Sequence, residues 1–169
     1  MRERILIVED NQELQEMFRV RLEMEGFKLY FANNGRECLE ALNQASPDLI
    51  LLDLFMPVMD GYQVLEVLNA HPEWNEIPVV VFSIEGDFGQ IEKAVKLGAV
   101  EFLPKGKIEL DKVVDKIKVV IQEESLPITQ DIILELLIEK GIIQRSEFKK
   151  KFIEKRKEAL LKKLKERRF

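Results

Sequence analysis

The chain has 169 residues, 46% of them hydrophobic and 34% charged, a length that holds one full domain plus an appendage but not two large domains. That composition supports a packed core rather than wholesale disorder, and no apolar run reaches the roughly 18 residues that span a bilayer. The net charge of −5 divides unevenly: residues 1–125 hold 13 basic against 24 acidic side chains, and residues 126–169 hold 13 against 7, so an acidic body carries a basic tail.

Arg4-Ile-Leu-Ile-Val8 is a β-branched run suited to a strand buried on both faces. Residues 12–25 place Leu14, Met17, Phe18 and Leu22 at helical spacing, with Gly26 as the stop. Lys28-Leu-Tyr-Phe-Ala32 predicts a second strand, Asn34-Gly35 a turn, and Cys38, Leu39 and Leu42 a second helix. Asp48-Leu-Ile-Leu-Leu52 predicts a buried strand ending at Asp53, and Gly61 to Ala70 a helix through Val64, Leu65 and Leu68. Ile77-Pro-Val-Val-Val-Phe82 is the next strand, with its proline near the start where a missing N–H is tolerated. A helix over 88–97, a strand over Val100-Glu-Phe-Leu103 and a helix over 109–123 complete five βα units.

Strict alternation with short connections implies a parallel sheet with helices on both faces, because right-handed crossovers put them there. Ligands of such sheets sit outside the carboxyl ends of the strands. The residues at those ends are Glu9 and Asp10, Asn33, Asp53, Ser83, and Pro104 with Lys105. Singly, each has an ordinary role: an aspartate or serine there is commonly a helix cap, and a lysine a solvated charge. Together they gather three carboxylates. Two like charges about 5 Å apart repel by roughly 3 kcal/mol at an effective dielectric near 20, so such a cluster requires cations. Lys105 supplies one, and a divalent ion with an oxygen ligand set, of the Mg²⁺ type, supplies two more. A carboxylate beside both is equipped to attack a phosphoryl group.

The pattern Glu9-Asp10, Asp53-Leu-Phe-Met-Pro57-Val-Met-Asp60-Gly61, Ser83 and Lys105 resembles the response-regulator receiver family of two-component signalling over roughly residues 3–124. The resemblance implies a flavodoxin-like, doubly wound five-stranded sheet of order 2-1-3-4-5. It implies Asp53 as phosphoacceptor for a histidine kinase or phosphotransfer protein, and no further enzyme activity. Mg²⁺ is then held by Asp10 directly, Glu9 through water, Asp53 and the backbone carbonyl of Phe55. Ser83 swings its hydroxyl onto the phosphoryl group, Lys105 pairs with it, and Phe102 is the aromatic that follows Ser83 inward. The face made by the fourth helix, fifth strand and fifth helix then shifts population.

Three positions depart from the family pattern. Ile84 follows Ser83 where a small residue is usual, and Phe55 flanks the entrance, so slow phosphotransfer and slow hydrolysis are expected, with a phosphorylation-independent scaffold as the limiting case. Gly106 replaces the usual proline after Lys105, leaving Leu103–Pro104 as the only candidate for a cis bond. His71 is expected as a surface cap, Cys38 as core and Trp74 as a packing anchor. A lone cysteine and a start at Met1 without an apolar leader set the expectation of a cytoplasmic protein.

Residues 126–169 form a second unit, with helices expected at about 129–140 and 147–168. The latter places Phe148, Phe152, Ile153, Leu160, Leu161 and Leu164 on a background of 12 basic residues from Arg145 onward. Three readings stand open: packing on the receiver or on a second copy, as a docking or dimerisation module; binding of DNA through the basic side chains; and a solvated, salt-bridged helix face with no partner.

Overall fold

A computed structural model describes residues 2–84, 88–106, 108–124 and 145–166. Its elements are β1 (Arg4–Val8), α1 (Gln12–Met24), β2 (Lys28–Ala32), α2 (Gly35–Ala45), β3 (Leu49–Leu52), α3 (Gly61–Ala70), β4 (Val79–Ser83), α4 (Phe88–Leu97), β5 (Ala99–Pro104), α5 (Leu110–Glu124) and α6 (Arg145–Glu166). The five strands form the parallel sheet that the alternation predicts, in the order β2-β1-β3-β4-β5 that the family resemblance implies. The expected first tail helix and the 125/126 boundary lie outside the described residues.

Apart from Arg4 at the start of β1 and Ser83 at the end of β4, the central strands β1, β3 and β4 are apolar because each face is covered. Ile5, Ile7, Leu49, Leu51, Val80 and Phe82 meet Phe18 and Leu22 of α1 and Val113, Val114 and Ile117 of α5. Leu6, Val8, Ile50, Leu52, Val79 and Val81 meet Cys38 and Leu42 of α2, Val64, Leu65 and Leu68 of α3, and Ala94 of α4. Phe18 sets its ring edge-on to Phe82 at 5.3 Å, a favoured aromatic geometry. Truncating a core leucine to alanine in either layer costs about 2–5 kcal/mol.

Helix starts are fixed by short polar caps. The Asn11 side chain accepts from Glu13 N and Leu14 N, and Asp60 forms a capping box with Gln63. Asn34-Gly35, expected as a turn, is instead the N-cap and first residue of α2. Glycine is required there by packing: a Cβ at Gly35 would lie 2.6 Å from Val64 Cγ2 and 2.8 Å from Met59 O. β4 begins at Val79, two residues later than expected, with Pro78 O instead accepting from Ile50 N at 3.0 Å. Among the described residues there is no cis peptide bond, so Leu103–Pro104, the candidate named from sequence, is trans.

β5 is an edge strand with a register shift against β4 at Val79/Val80. Edge strands expose unpaired backbone groups and are commonly covered. Here α6 packs on β5 and α4, and its Ile153, 4% exposed, joins the core layer of α1 and α5. His71 caps α3 and stacks on Trp74 at 3.9 Å, and Cys38 is fully buried, with burial pushing its thiol up to about 12.

Candidate phosphoacceptor site

Each strand-end residue is held by a backbone hydrogen bond that carries the sheet ladder one step past the strand. Glu9 N donates to Ala32 O at 3.0 Å, Asp53 N to Val8 O at 2.9 Å, and Lys105 N to Ser83 O at 2.7 Å. Three neighbouring strand ends and the residue after β5 therefore deliver their side chains to one place. Asn33 is not among them. Its backbone and side-chain N–H groups both donate to Glu37 Oε2, which makes it a brace for α2.

Asp53 is 4% exposed and its carboxylate is fully engaged. Oδ1 accepts from Ser83 Oγ at 2.6 Å and from Phe55 N at 3.2 Å, and Oδ2 accepts from Lys105 Nζ at 2.6 Å. Lys105 Nζ also meets Glu9 Oε2 at 2.7 Å. The Ser83 hydroxyl is fully buried, and besides donating to Asp53 it accepts from Leu54 N at 3.3 Å.

The acidic pair after β1 splits in two. Glu9 is 2% exposed and Asp10 is exposed, yet Glu9, Asp10 and Asp53 bring carboxylate oxygens within 4.8 Å of one another. Burial pushes the Glu9 carboxyl above its ordinary range, and the hydrogen bond and charge of Lys105 only partly oppose this. Burial alone would lower the Lys105 ammonium, but its bonds to Asp53 and Glu9 outweigh that and hold it above its usual value. One ammonium among three carboxylates leaves a surplus of two negative charges. All the donors are oxygens, and one of the carboxylates is open to solvent. That donor set fits a hard divalent cation such as Mg²⁺.

The loop from Asp53 to Gly61 is tied at both ends. Gly61 N donates to Leu54 O at 3.0 Å, and a Cβ on Gly61 would come within 2.2 Å of Asp53 O, so the Asp60-Gly61 step is dictated by this approach. Met59 O accepts from Gly35 N at 3.0 Å. Between them Val58 sits at φ 71, with Met59 N donating to Pro57 O at 2.8 Å, a tight turn that a β-branched residue adopts only under strain. Nothing in the sequence signals this, since valine is among the residues least suited to it.

At the mouth of the site Phe55 is 45% and Ile84 61% exposed. Ile84 thus points largely to solvent, whereas the Phe55 ring stands edge-on to Tyr62 at 6.5 Å. Tyr62 carries no signal of a role in the sequence. Its hydroxyl donates to Gln90 O at 3.2 Å and Lys93 Nζ lies 4.5 Å from its ring centre, so it links the Asp53 loop to α4. Phe102 is half-buried against the layer containing α3 and α4, paired in the sheet with Val81 and away from the carboxylates.

Residues 5–118 match the family model described as the response regulator receiver domain. The DNA-binding response regulator MtrA of Mycolicibacterium paratuberculosis is 35% identical over 105 residues, which cover 62% of this chain and 45% of MtrA, so this chain spans less than half of that relative's length. Sporulation initiation phosphotransferase F of Bacillus subtilis is 30% identical over 118 residues, 70% of this chain and 93% of that protein. Among solved structures, the signal receiver domain of a signal transduction histidine kinase from Syntrophus aciditrophicus superposes with a TM-score of 0.66 at 31% identity, covering 72% of this chain and 91% of that one. No helix among the described residues is long and apolar enough to cross a membrane. The fold, the gathered strand-end residues and the match over residues 5–118 agree: this chain belongs to the response regulator receiver family.

Proposed function

We propose that the chain is a two-component response regulator that takes a phosphoryl group onto Asp53 from a histidine kinase or phosphotransfer protein. The observation that carries this is the carboxylate of Asp53 itself, buried yet bonded by Ser83 Oγ and Lys105 Nζ at 2.6 Å each, with Glu9 and Asp10 alongside. An Asp53 oxygen forms the new O–P bond as the N–P bond to a donor histidine breaks, and the electron pair leaves on the imidazole. Lys105 and Ser83 then stand beside the transferred oxygens, where an ammonium and a hydroxyl stabilise the added charge. Glu9, Asp10, Asp53 and the Phe55 carbonyl would hold a Mg²⁺ ion, which would supply further neutralisation of that charge. Phe55 at the mouth limits the approach of water to the acyl phosphate. Apart from gaining and losing its own phosphoryl group, the protein is proposed to turn over no substrate.

The test is incubation with acetyl phosphate and Mg²⁺, followed by intact-mass measurement. One added phosphoryl group, absent in Asp53→Asn and in chelator, is the expected result. Equal labelling of Asp53→Asn would refute the assignment.

A further inference from the structure

We infer that Gln15 is a positioning residue for the divalent-cation site. Its amide, oriented by Asn33 and Glu37, fixes the peptide unit that leads to Asp10 and keeps that carboxylate in range of Glu9 and Asp53. This rests on the cation site proposed above and adds a residue outside its ligand set.

The polarity of this brace is dictated from its far end. The ionised Glu37 carboxylate can only accept, and Asn33 donates to its Oε2 through the backbone N at 2.8 Å and through Nδ2 at 2.7 Å. Those bonds hold the Glu37 carboxyl below its ordinary range against the opposing effect of burial, so it stays ionised. With Nδ2 turned to Glu37, Asn33 presents Oδ1 to α1, and Gln15 meets it with Nε2 at 3.0 Å. The same Nε2 donates its other hydrogen to Glu9 O at 2.5 Å. One nitrogen in the first turn of α1 therefore joins the residue that follows β1 to the residue that follows β2.

The effect on Asp10 follows from the planarity of the peptide unit. Glu9 O and Asp10 N share one plane, so a bond at the carbonyl sets the direction in which the chain enters Asp10. The next plane is anchored as well, since Asn11 N donates to Glu9 Oε1 at 3.3 Å and the Asn11 side chain caps α1. Asp10 is held between two anchored planes although its own side chain is exposed.

The need for an anchor is electrostatic. Glu9, Asp10 and Asp53 bring carboxylate oxygens within 4.8 Å of one another, and Lys105 bonds Glu9 and Asp53. Asp10 is the exposed member, and the one that repulsion can drive outward, because no burial opposes its departure. A brace that keeps it in place beforehand leaves less ordering to be done when a cation binds.

The experiment is a Mg²⁺ titration of the nitrogen-15-labelled full-length chain by NMR, which reads both the apparent Kd and the order parameter of the Asp10 amide. Gln15→Met keeps the length and helix propensity of the side chain but removes both donors. It is expected to weaken Mg²⁺ binding about tenfold, as loss of a group that supports a metal ligand typically does. The order parameter of the Asp10 amide in chelator is expected to fall from about 0.85 to about 0.6. Asn33→Ala is expected to act in the same direction with a smaller effect. The double variant should be no worse than Gln15→Met, because the two residues act in series. Gln15→Glu separates positioning from charge: an added carboxylate tightens binding if charge alone governs it, and weakens binding if the donor to Glu9 O is what matters. Tighter binding by Gln15→Glu would overturn the positioning role and leave the cation site standing. So would an unchanged Kd in Gln15→Met, even with a lowered Tm, since the amide would then be only a helix-start bond. Absence of Mg²⁺ binding by the wild type would overturn the cation site itself and this inference with it.

Discussion

Replacing Lys105 by methionine isolates the electrostatics of the site. Its ammonium lies 2.6 Å from Asp53 Oδ2 and 2.7 Å from Glu9 Oε2, and the three side chains are 16%, 4% and 3% exposed. Methionine keeps most of the stem's volume but leaves two buried carboxylates facing each other. Removing one partner of a buried ion pair typically costs about 3–5 kcal/mol, because the uncompensated charge stays in a poor solvent. The size of the loss depends on pH, and its sign follows from Glu9. Burial raises the Glu9 carboxyl and Lys105 opposes it, so without the lysine the neutral acid is favoured further in the folded state. A raised acidic pKa contributes stability below the ordinary value of 4.5 that is lost as pH climbs through the folded value. Urea denaturation in chelator, run at about pH 5 and about pH 8, should therefore show a clearly smaller deficit at the acidic end. The double variant Lys105→Met with Asp53→Asn should recover about half of the loss, since one of the two stranded charges is gone. A deficit below about 1 kcal/mol, or one equal at both pH values, would place this pair among weakly coupled surface ion pairs and refute the reasoning.

Val58→Asn should stabilise the protein by about 1 kcal/mol, since left-handed backbone costs a β-branched residue about 1–3 kcal/mol and asparagine far less. Because Val58 is 76% exposed, little burial is lost, and a rise in Tm of about 2–4 °C by calorimetry is expected; no rise would mean the turn is unstrained. Glu9→Gln should raise stability in chelator at neutral pH, flatten its fall as pH rises above the ordinary glutamate value, and weaken stabilisation by Mg²⁺ in a titration followed by thermal unfolding. Phe55→Ala, which opens the mouth of the site, should shorten the lifetime of the acyl phosphate several-fold by intact-mass decay, and an unchanged lifetime would remove Phe55 as a water barrier.

The fold was legible because its constraint is redundant. β1, β3 and β4 are apolar on both faces, which only a sheet covered twice requires, and the alternation with helices then fixes where the carboxyl ends gather. Much of the site was legible for the same reason, since Glu9, Asp53, Ser83 and Lys105 are placed by ladder hydrogen bonds that follow from topology. The division of labour between Glu9 and Asp10 does not follow from alternation, because the face of Leu6 and Val8 is as buried as that of Ile5 and Ile7; Glu9 is still tied to β2 through Ala32 O, and Asp10 lies one residue beyond that bond. What resisted reading is set by tertiary contact alone. The need for glycine at position 35 comes from Met59 and Val64, which leave no room for a Cβ there. Tyr62 has no local mark that separates it from any half-buried aromatic, and its link to α4 exists because two helices distant in sequence lie side by side. The tail shows the same limit from the other direction. Its apolar positions at Ile153, Leu160, Leu161 and Leu164 fit docking on this receiver or on another copy equally well, because periodicity specifies a face and not its partner. The burial of Ile153 beside Val100 and Leu103 chooses the receiver, and so ties the part of the chain beyond the family match to the strand that ends at Lys105.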